Sequence, residues 1–276
     1  MAKTYREVLF WASSFLEDAG IDGSHILYVF LGRKKWSKTD WLLNWNREMP
    51  EAEEGQLKRD LEKLKAHYPP QYLLGFEEFY GRMFKVTEDT LIPRPETEEL
   101  VALCLAKGTP EAAYVVDVGT GTGAISITLK LERPVWQVAT VDLSQEALNV
   151  AQENATKLGA KLDFYLGDTL SPIQQPIDIL ISNPPYIGVE EWEMMDESVR
   201  TFEPKMALFA ENHGLAIYEQ LAKEASQKLA KDGKIFLEIG YLQGKAVRSL
   251  FQTYFPHKKV SVHQDLSGQD RMVVVE

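Results

Sequence analysis

The chain has 276 residues, of which 45% are hydrophobic and 26% are charged, so its composition is that of a globular protein rather than of a disordered or fibrous one. The formal net charge of −11 disfavours binding to a nucleic-acid backbone, because such binding needs a positive surface. The single cysteine, Cys104, rules out a disulfide framework, and the five histidines lack metal-site spacing. With no signal-peptide pattern and no apolar run of about 18 residues, we predict a cytoplasmic protein that binds neither metal nor membrane.

The first 67 residues have the periodicity of short helices. The apolar positions of the first helix share one face: Val8, Leu9, Ala12, Phe15 and Leu16. Ser24 is predicted to cap a second helix that stops at Gly32, and Ser37 is predicted to cap a third. Residues 51–66 form a charged amphipathic helix, so we predict four or five helices in an all-helical domain over residues 1–75.

The pattern changes at Tyr68-Pro69-Pro70, because two prolines disfavour a continuing helix. The segment Phe79–Val86 alternates as a strand pair does. We therefore predict a β-hairpin linker over residues 76–90.

From about residue 90, strands and helices alternate. The predicted strands are Ala113–Val118, Val138–Val141, Leu162–Tyr165, Ile177–Ile181, Lys234–Glu238, Lys259–His263 and Arg271–Val275. The predicted helices are Glu96–Ala106, Ala124–Leu131, Gln145–Leu158, Gly214–Ala230 and Gln243–Tyr254. This alternation predicts an α/β fold with a mostly parallel, Rossmann-like sheet and an antiparallel edge at its C-terminal end.

A glycine-rich turn follows the first strand of this region, within Val115–Ile125. Gly119, Gly121 and Gly123 have G-x-G-x-G spacing, which differs from the dinucleotide pattern, and no Lys-Ser/Thr follows as in a phosphate loop. Asp117 at the strand end would repel a pyrophosphate and attract a cation. The pattern predicts backbone that approaches a cationic ligand closely, and the alternative is a plain tight turn.

Acidic residues also follow the next two strands. Asp142 can accept hydrogen bonds from both ribose hydroxyls of a nucleoside, or it can cap the following helix, a task that Ser144 can perform instead. Asp168 and Thr169 follow the third strand, where a side chain can meet an adenine amino group or simply form a polar turn. These features fit an adenosine ligand with positive charge and no phosphate, such as S-adenosylmethionine. Over residues 110–240 the arrangement resembles class I methyltransferases.

The segment Asn183-Pro184-Pro185-Tyr186 carries the most chemical information. Its prolines end strand pairing and stiffen the loop. An NH₂ conjugated to a carbonyl or a ring is a weak nucleophile, but the Asn183 side-chain oxygen and the Pro184 carbonyl can each accept one of its hydrogens and aim its lone pair, while Tyr186 packs on its flat face. The alternative is a rigid strand-ending loop. Since no general base is needed, this interpretation predicts no steep dependence of the rate on a single pKa near neutrality.

Further motifs extend this likeness over nearly the whole chain: Gln71–Gly75, Phe79–Gly81, Ile92–Glu98, Glu203-Pro204 and Ala207-Leu208. Together they resemble the release-factor glutamine methyltransferase family (HemK/PrmC). The resemblance implies N5-methylation of the glutamine in the Gly-Gly-Gln motif of peptide-chain release factors, with S-adenosylmethionine as donor and S-adenosylhomocysteine as product. It also implies that residues 1–75 recognise the substrate and that residues 91–276 form the methyltransferase domain.

Motifs and resemblance together assign a role to each candidate residue. The donor-binding residues are Gly119, Thr120, Gly121, Thr122, Gly123, Asp142, Asp168, Thr169 and Asn183. The catalytic residues are Asn183, Pro184 and Tyr186. The substrate-binding residues are Asn183, Pro184, Pro185, Tyr186 and Arg94. Arg94, held extended between two prolines, is expected near the donor pocket, and the alternative is a solvated arginine before a helix.

Two other functions remain open at this stage. An amino-methyltransferase acting on a DNA or RNA base would use the same Asn-Pro-Pro-Tyr logic, although the charge of −11 and the lack of a basic, aromatic-rich region disfavour it. A non-catalytic S-adenosylmethionine-binding module is disfavoured by the intact Asn183–Tyr186 segment.

Overall fold

A computed structural model describes residues 3–108 and 111–276. The chain divides into two compact units. The first contains the described residues up to Phe76 together with Asp196–Phe202, and the second contains Glu77–Met195 and Glu203–Glu276. Residues 1, 2, 109 and 110 of the two predicted domains lie outside the described part of the chain.

The described residues form thirteen helices, one 3₁₀ helix and nine strands. The helices are α1 (Tyr5–Asp18), α2 (Ser24–Lys34), α3 (Lys38–Asn44), α4 (Glu51–Lys65), α5 (Pro70–Leu74), α6 (Pro95–Lys107), α7 (Ala124–Glu132), α8 (Gln145–Leu158), α9 (Glu197–Phe202), α10 (Lys205–Leu208), α11 (Glu211–Gly214), α12 (Ala216–Lys228) and α13 (Gly244–Tyr254), with the 3₁₀ helix at Val189–Met194. The strands are β1 (Phe76–Phe79), β2 (Arg82–Lys85), β3 (Tyr114–Val118), β4 (Gln137–Asp142), β5 (Asp163–Leu166), β6 (Ile177–Ser182), β7 (Leu229–Glu238), β8 (Val260–Gln264) and β9 (Asp270–Val275).

The first unit is helical, with α1–α5 and the short α9. Ser37 caps α3 as predicted, since its hydroxyl oxygen accepts the Asp40 backbone N–H over 3.1 Å. The prediction for α2 was wrong at both ends: Ser24 is its first helical residue, and the helix continues past Gly32 to Lys34. Gly32 serves packing instead, because a Cβ there would lie 2.6 Å from the Leu74 side chain.

The β-hairpin begins earlier than its sequence pattern indicates. Strand β1 starts at Phe76 rather than Phe79, and the two strands are joined by Tyr80 and Gly81, both with left-handed backbone. A two-residue turn with positive φ at both positions matches the twist of paired strands, so it fixes where the hairpin folds.

The second unit contains a seven-stranded sheet in the order β5-β4-β3-β6-β7-β9-β8. All neighbours pair in parallel except β7 with β9 and β9 with β8. This confirms the predicted α/β class with an antiparallel C-terminal edge. Large apolar clusters cover both faces of the sheet, with α12 and α13 on one and α6 and α7 on the other.

Strand order determines where a ligand can bind. Strands β4 and β5 extend the sheet on one side of β3, whereas β6 pairs with β3 on its other side. Parallel sheets bind ligands at the carboxyl ends of the strands where the strand order changes side in this way. Val118 pairs with Ser182 there, so the residues that follow, Gly119 and Asn183, lie side by side. None of the helices within the described ranges is long and apolar enough to cross a membrane.

Candidate active site

The glycine turn after β3 has a backbone shape that depends on its three glycines. Gly119, Gly121 and Gly123 have φ values of 74°, 53° and 80°, which residues with a side chain rarely adopt. The Gly119 N–H donates to the Val141 carbonyl over 2.9 Å. The turn is therefore tied to the end of β4, and two of its glycines face the space above the sheet.

Asp142 connects the turn to the next strand. Its Oδ2 accepts the Gly121 N–H and its Oδ1 accepts the Ser144 N–H, each over 2.9 Å. Ser144 caps α8 by accepting the Ala147 N–H, so Asp142 does not perform that task. These bonds hold the carboxylate at the end of β4, where it borders the cavity described below. Burial raises the pKa of Asp142, and the backbone donors oppose that effect.

The Asn-Pro-Pro-Tyr loop is fixed at both ends. At its start, the Ser182 hydroxyl donates to the Val118 carbonyl over 2.7 Å, and the Asn183 Nδ2 donates to Thr97 Oγ1 over 3.1 Å. At its end, the Tyr186 carbonyl accepts from Gln243 Nε2 over 2.8 Å. Gly214 allows the chain to pass close to this carbonyl, because a Cβ at position 214 would lie 2.0 Å from the Tyr186 carbonyl oxygen.

An open cavity lies above these strand ends, bordered by the glycine turn, the end of β4 and the start of the Asn-Pro-Pro-Tyr loop. Seven of the sequence-predicted site residues line it: Gly119, Gly121, Asp142, Asp168, Thr169, Asn183 and Pro185. Residues that are distant in the chain thus meet around one volume, and an apolar cavity with a few polar groups is what an adenosine ligand requires.

Other predicted residues do not line this cavity. Thr120, Thr122 and Gly123 support the turn instead: the Thr120 hydroxyl donates to Asp117 over 2.9 Å, and the Thr122 carbonyl accepts from Asn154. Asp117, expected beside a cation, is fully buried with the Thr120 hydroxyl, and burial raises its pKa to about 6.

Pro184, Tyr186 and Arg94 also lie outside the cavity lining. Tyr186 is half-buried, and burial raises the pKa of its hydroxyl to about 12. Arg94 forms an ion pair with the buried carboxylate of Glu203, which also accepts the Ile92 N–H over 3.0 Å. This pair ties the segment before α6 to Glu203, so Arg94 is ion-paired although part of its side chain is exposed, and it does not line the cavity.

Sequence reasoning missed several residues of the cavity wall. Leu91, Leu143, Met206 and Ile217 supply apolar surface. Only Leu143 had a sequence signal, its place directly after the strand-end acid Asp142, and the structure shows it to be 61% exposed. Thr169 has a φ of 42°, and its hydroxyl donates to Glu224 and accepts from Gln220. These contacts fix its side chain against α12.

The chain matches two family models. Residues 7–75 match the PrmC N-terminal domain, and residues 97–210 match the methyltransferase small domain. A solved methyltransferase from Pyrococcus furiosus has a similar fold, with a TM-score of 0.54 at 14% identity over 80% of this chain and 97% of that one.

Curated relatives match over the full length. A release factor glutamine methyltransferase of Enterococcus faecalis is 57% identical over 100% of both chains. Another, from Lactococcus lactis, is 46% identical over 92% of this chain and 94% of that one. The match to the Enterococcus faecalis protein spans both the helical unit and the unit that holds the cavity, and we conclude that the chain belongs to the release factor glutamine methyltransferase family.

Proposed function

We propose that this protein transfers a methyl group from S-adenosylmethionine to the side-chain amide nitrogen of the glutamine in the Gly-Gly-Gln motif of peptide-chain release factors. Family membership supports the reaction class. The observation that carries the proposal is the position of Asn183, which borders the same cavity as Gly119 and Asp142. An amide-orienting group and a nucleoside-type pocket are therefore adjacent.

The donor pocket fits the proposed methyl donor by its chemistry. The Asp142 carboxylate borders the cavity, where its oxygens can accept hydrogen bonds from ribose hydroxyls, and Gly119 has no side chain to occupy the space beside it. Leu91, Leu143 and Ile217 can pack on a base. When bound, S-adenosylmethionine supplies a methyl group on a positively charged sulfur. We assign donor contact to Gly119, Gly121, Asp142, Asp168, Thr169 and Asn183.

The acceptor amide needs orientation rather than deprotonation. Asn183 Oδ1 and the Pro184 carbonyl would accept the two amide hydrogens, which turns the nitrogen lone pair toward the donor. Tyr186 would pack on the flat face of the amide. The fixed ends of this loop support these roles, because acceptors act most strongly when the protein holds them in place beforehand.

The direct test is mass spectrometry of a purified release factor after incubation with this protein and S-adenosylmethionine. We expect a gain of about 14 Da, one methyl replacing one hydrogen, on the motif glutamine. A release factor with alanine at that position should gain nothing. Methylation of duplex DNA or RNA with an unmodified release factor would overturn the proposal in favour of a base methyltransferase.

We further propose that the helical unit docks the release factor. Leu42 and Leu43 on α3 are 56% and 74% exposed, whereas the basic residues Arg33 and Lys34 on α2 are paired with Asp60 and Glu53. Exposed apolar side chains can be buried by a protein partner, whereas the two basic side chains are already paired within the unit.

Replacing both leucines by serine should therefore raise KM for the intact release factor about tenfold, while KM for a short Gly-Gly-Gln peptide stays unchanged. The measurement is steady-state methyl transfer with each substrate. Leu266→Ser, at a 94% exposed position of the other unit, is the matched control. Equal effects on factor and peptide would exclude docking by this face.

A further inference from the structure

Asn183 is the first member of a buried chain of three hydrogen-bonded side chains. Its Nδ2 donates to Thr97 Oγ1 over 3.1 Å, and Thr97 Oγ1 donates to Glu238 Oε2 over 2.7 Å. Thr97 lies in the first turn of α6 and Glu238 at the end of β7. Their exposed fractions are 5% and 2%, so water does not compete for these contacts.

The direction of each bond follows from the chemistry of its members. An ionised carboxylate can only accept, so the one hydroxyl proton of Thr97 is committed to Glu238. The Thr97 oxygen can then only accept, and its partner on Asn183 has to be the NH₂ group. A flipped Asn183 amide would place its oxygen against the Thr97 oxygen with no proton between them, which loses the hydrogen bond.

We propose that Thr97 and Glu238 are positioning residues that determine which end of the Asn183 amide faces the substrate. With Nδ2 held by Thr97, Oδ1 is the end left for the acceptor amide. No donor among the described residues uses Oδ1, and Asn183 borders the cavity. This inference rests on the proposed function, since it explains how one member of the acceptor pair is kept as an acceptor.

The consequence for catalysis is a choice between two geometries. An Oδ1 facing the substrate accepts one of the amide hydrogens. An Nδ2 in its place would set one NH₂ group against another, so the substrate hydrogen assigned to Oδ1 would no longer be held. The nucleophile is weak because its lone pair is delocalised, and loss of orientation therefore reduces the rate directly.

Protonation of Glu238 would remove this control. A protonated carboxyl can donate to Thr97, whose own proton then becomes available to Asn183, and both amide orientations are satisfied. Burial raises the pKa of Glu238 to about 7, opposed by the Thr97 hydrogen bond. Because the pKa is raised, Glu238 becomes protonated as the pH decreases below about 7, and kcat should fall. This positioning effect replaces the sequence-based expectation of a rate that does not depend on a single pKa near neutrality, which considered only a general base.

The groups facing Glu238 do not produce the same dependence. They are Arg94 and Glu96 at the start of α6, Arg271 on β9, Tyr186 in the loop and Tyr218 on α12. The arginines remain charged in this range. Burial raises the pKa of both tyrosines, to about 12 for Tyr186, so they remain neutral. The variants Glu96→Gln and Glu238→Gln, described below, distinguish Glu238 from Glu96 and from the more distant Asp117, whose pKa burial raises to about 6.

The first experiment removes and restores the Thr97 hydroxyl in the full-length protein. Thr97→Val keeps the shape of the side chain but can form no hydrogen bond with Asn183 or Glu238. We expect kcat to fall about 10- to 100-fold, which is the effect of losing a hydrogen bond to a charged network. Thr97→Ser restores the hydroxyl and should recover most of that loss. Donor affinity, measured by calorimetry with S-adenosylhomocysteine, should be unchanged in both.

The second experiment follows the pH dependence. In the unaltered protein kcat should show an acidic limb with a midpoint near the Glu238 pKa of about 7. Glu238→Gln cannot titrate, so this limb should vanish even if the overall rate is lower. Glu96→Gln is the matched control and should keep the limb. A limb that persists in Glu238→Gln would assign it to another group, such as Asp117, and would overturn the proposal.

A readout independent of activity separates this inference from the proposed function. The side-chain ¹⁵N–¹H₂ resonances of Asn183, assigned by their loss in Asn183→Asp, should shift with the same midpoint in the unaltered protein and stay constant in Glu238→Gln. If release factor is methylated but the resonances do not titrate and Thr97→Val keeps full kcat, the positioning role is wrong. If the resonances titrate but no release factor is methylated, the proposed substrate is wrong and the hydrogen-bond chain stands.

Discussion

Asn183→Ala should reduce kcat for release-factor methylation about 10²- to 10³-fold, the loss typical of removing one preorganised polar group from a catalytic centre. The substitution deletes Oδ1, so one hydrogen of the acceptor amide is no longer held and the lone pair is free to rotate away from the donor. It also deletes the partner of Thr97. Single-turnover methyl transfer with saturating donor measures the effect on the chemical step.

The matched control is Asn149→Ala, an exposed asparagine on α8, which should retain full activity. Affinity for S-adenosylhomocysteine should change little in Asn183→Ala, because most of the cavity wall is untouched. A variant with more than about a tenth of the original kcat would contradict the acceptor role, given the expected range for such groups. A large loss of donor affinity instead would assign Asn183 chiefly to donor binding.

Asp142→Asn should weaken donor binding about 10- to 100-fold, which corresponds to losing a hydrogen bond to a charged group. In the unaltered protein, both carboxylate oxygens of Asp142 accept backbone N–H groups, one from Gly121 and one from Ser144. An asparagine has one oxygen, so its NH₂ group would face one of these donors. The change therefore disturbs the glycine turn and removes acceptor positions for the ligand together.

Calorimetry with S-adenosylmethionine and S-adenosylhomocysteine measures this loss, and thermal unfolding without ligand shows how much of it comes from destabilisation. Asp232→Asn, an exposed carboxylate after α12, is the control and should bind the donor normally. Unchanged donor affinity in Asp142→Asn would refute the assignment of this residue to the donor site.

Much of the fold was predictable because its signals are local. Helix α8 has the predicted bounds, Gln145–Leu158, since Ser144 caps its start and Gly159, with a φ of 75°, ends it. The central strands are apolar runs between turn residues, and the ends of β3, β4, β5 and β6 differ from the prediction by at most one residue. The exception is β7, which begins at Leu229 rather than Lys234.

The segment after the Asn-Pro-Pro-Tyr loop was not predictable in this way. Residues 187–214 contain a 3₁₀ helix and three helices of four to six residues, each too short to show a periodicity. Asn212 and His213 have left-handed backbone inside α11, which a helical pattern does not predict. His213 pairs with Glu190, which precedes it by 23 residues.

Residue types and their spacing were sufficient to indicate an α/β sheet, a glycine turn and an amide-orienting loop, because each depends on a few adjacent residues. The pairing of Val118 with Ser182, and the bond from Thr97 to a carboxylate 141 positions away, depend on strand order and helix packing. Such contacts arise only once the whole chain has collapsed around its core. That is why the motif identified Asn183, while the residues that orient its amide became visible in the folded protein alone.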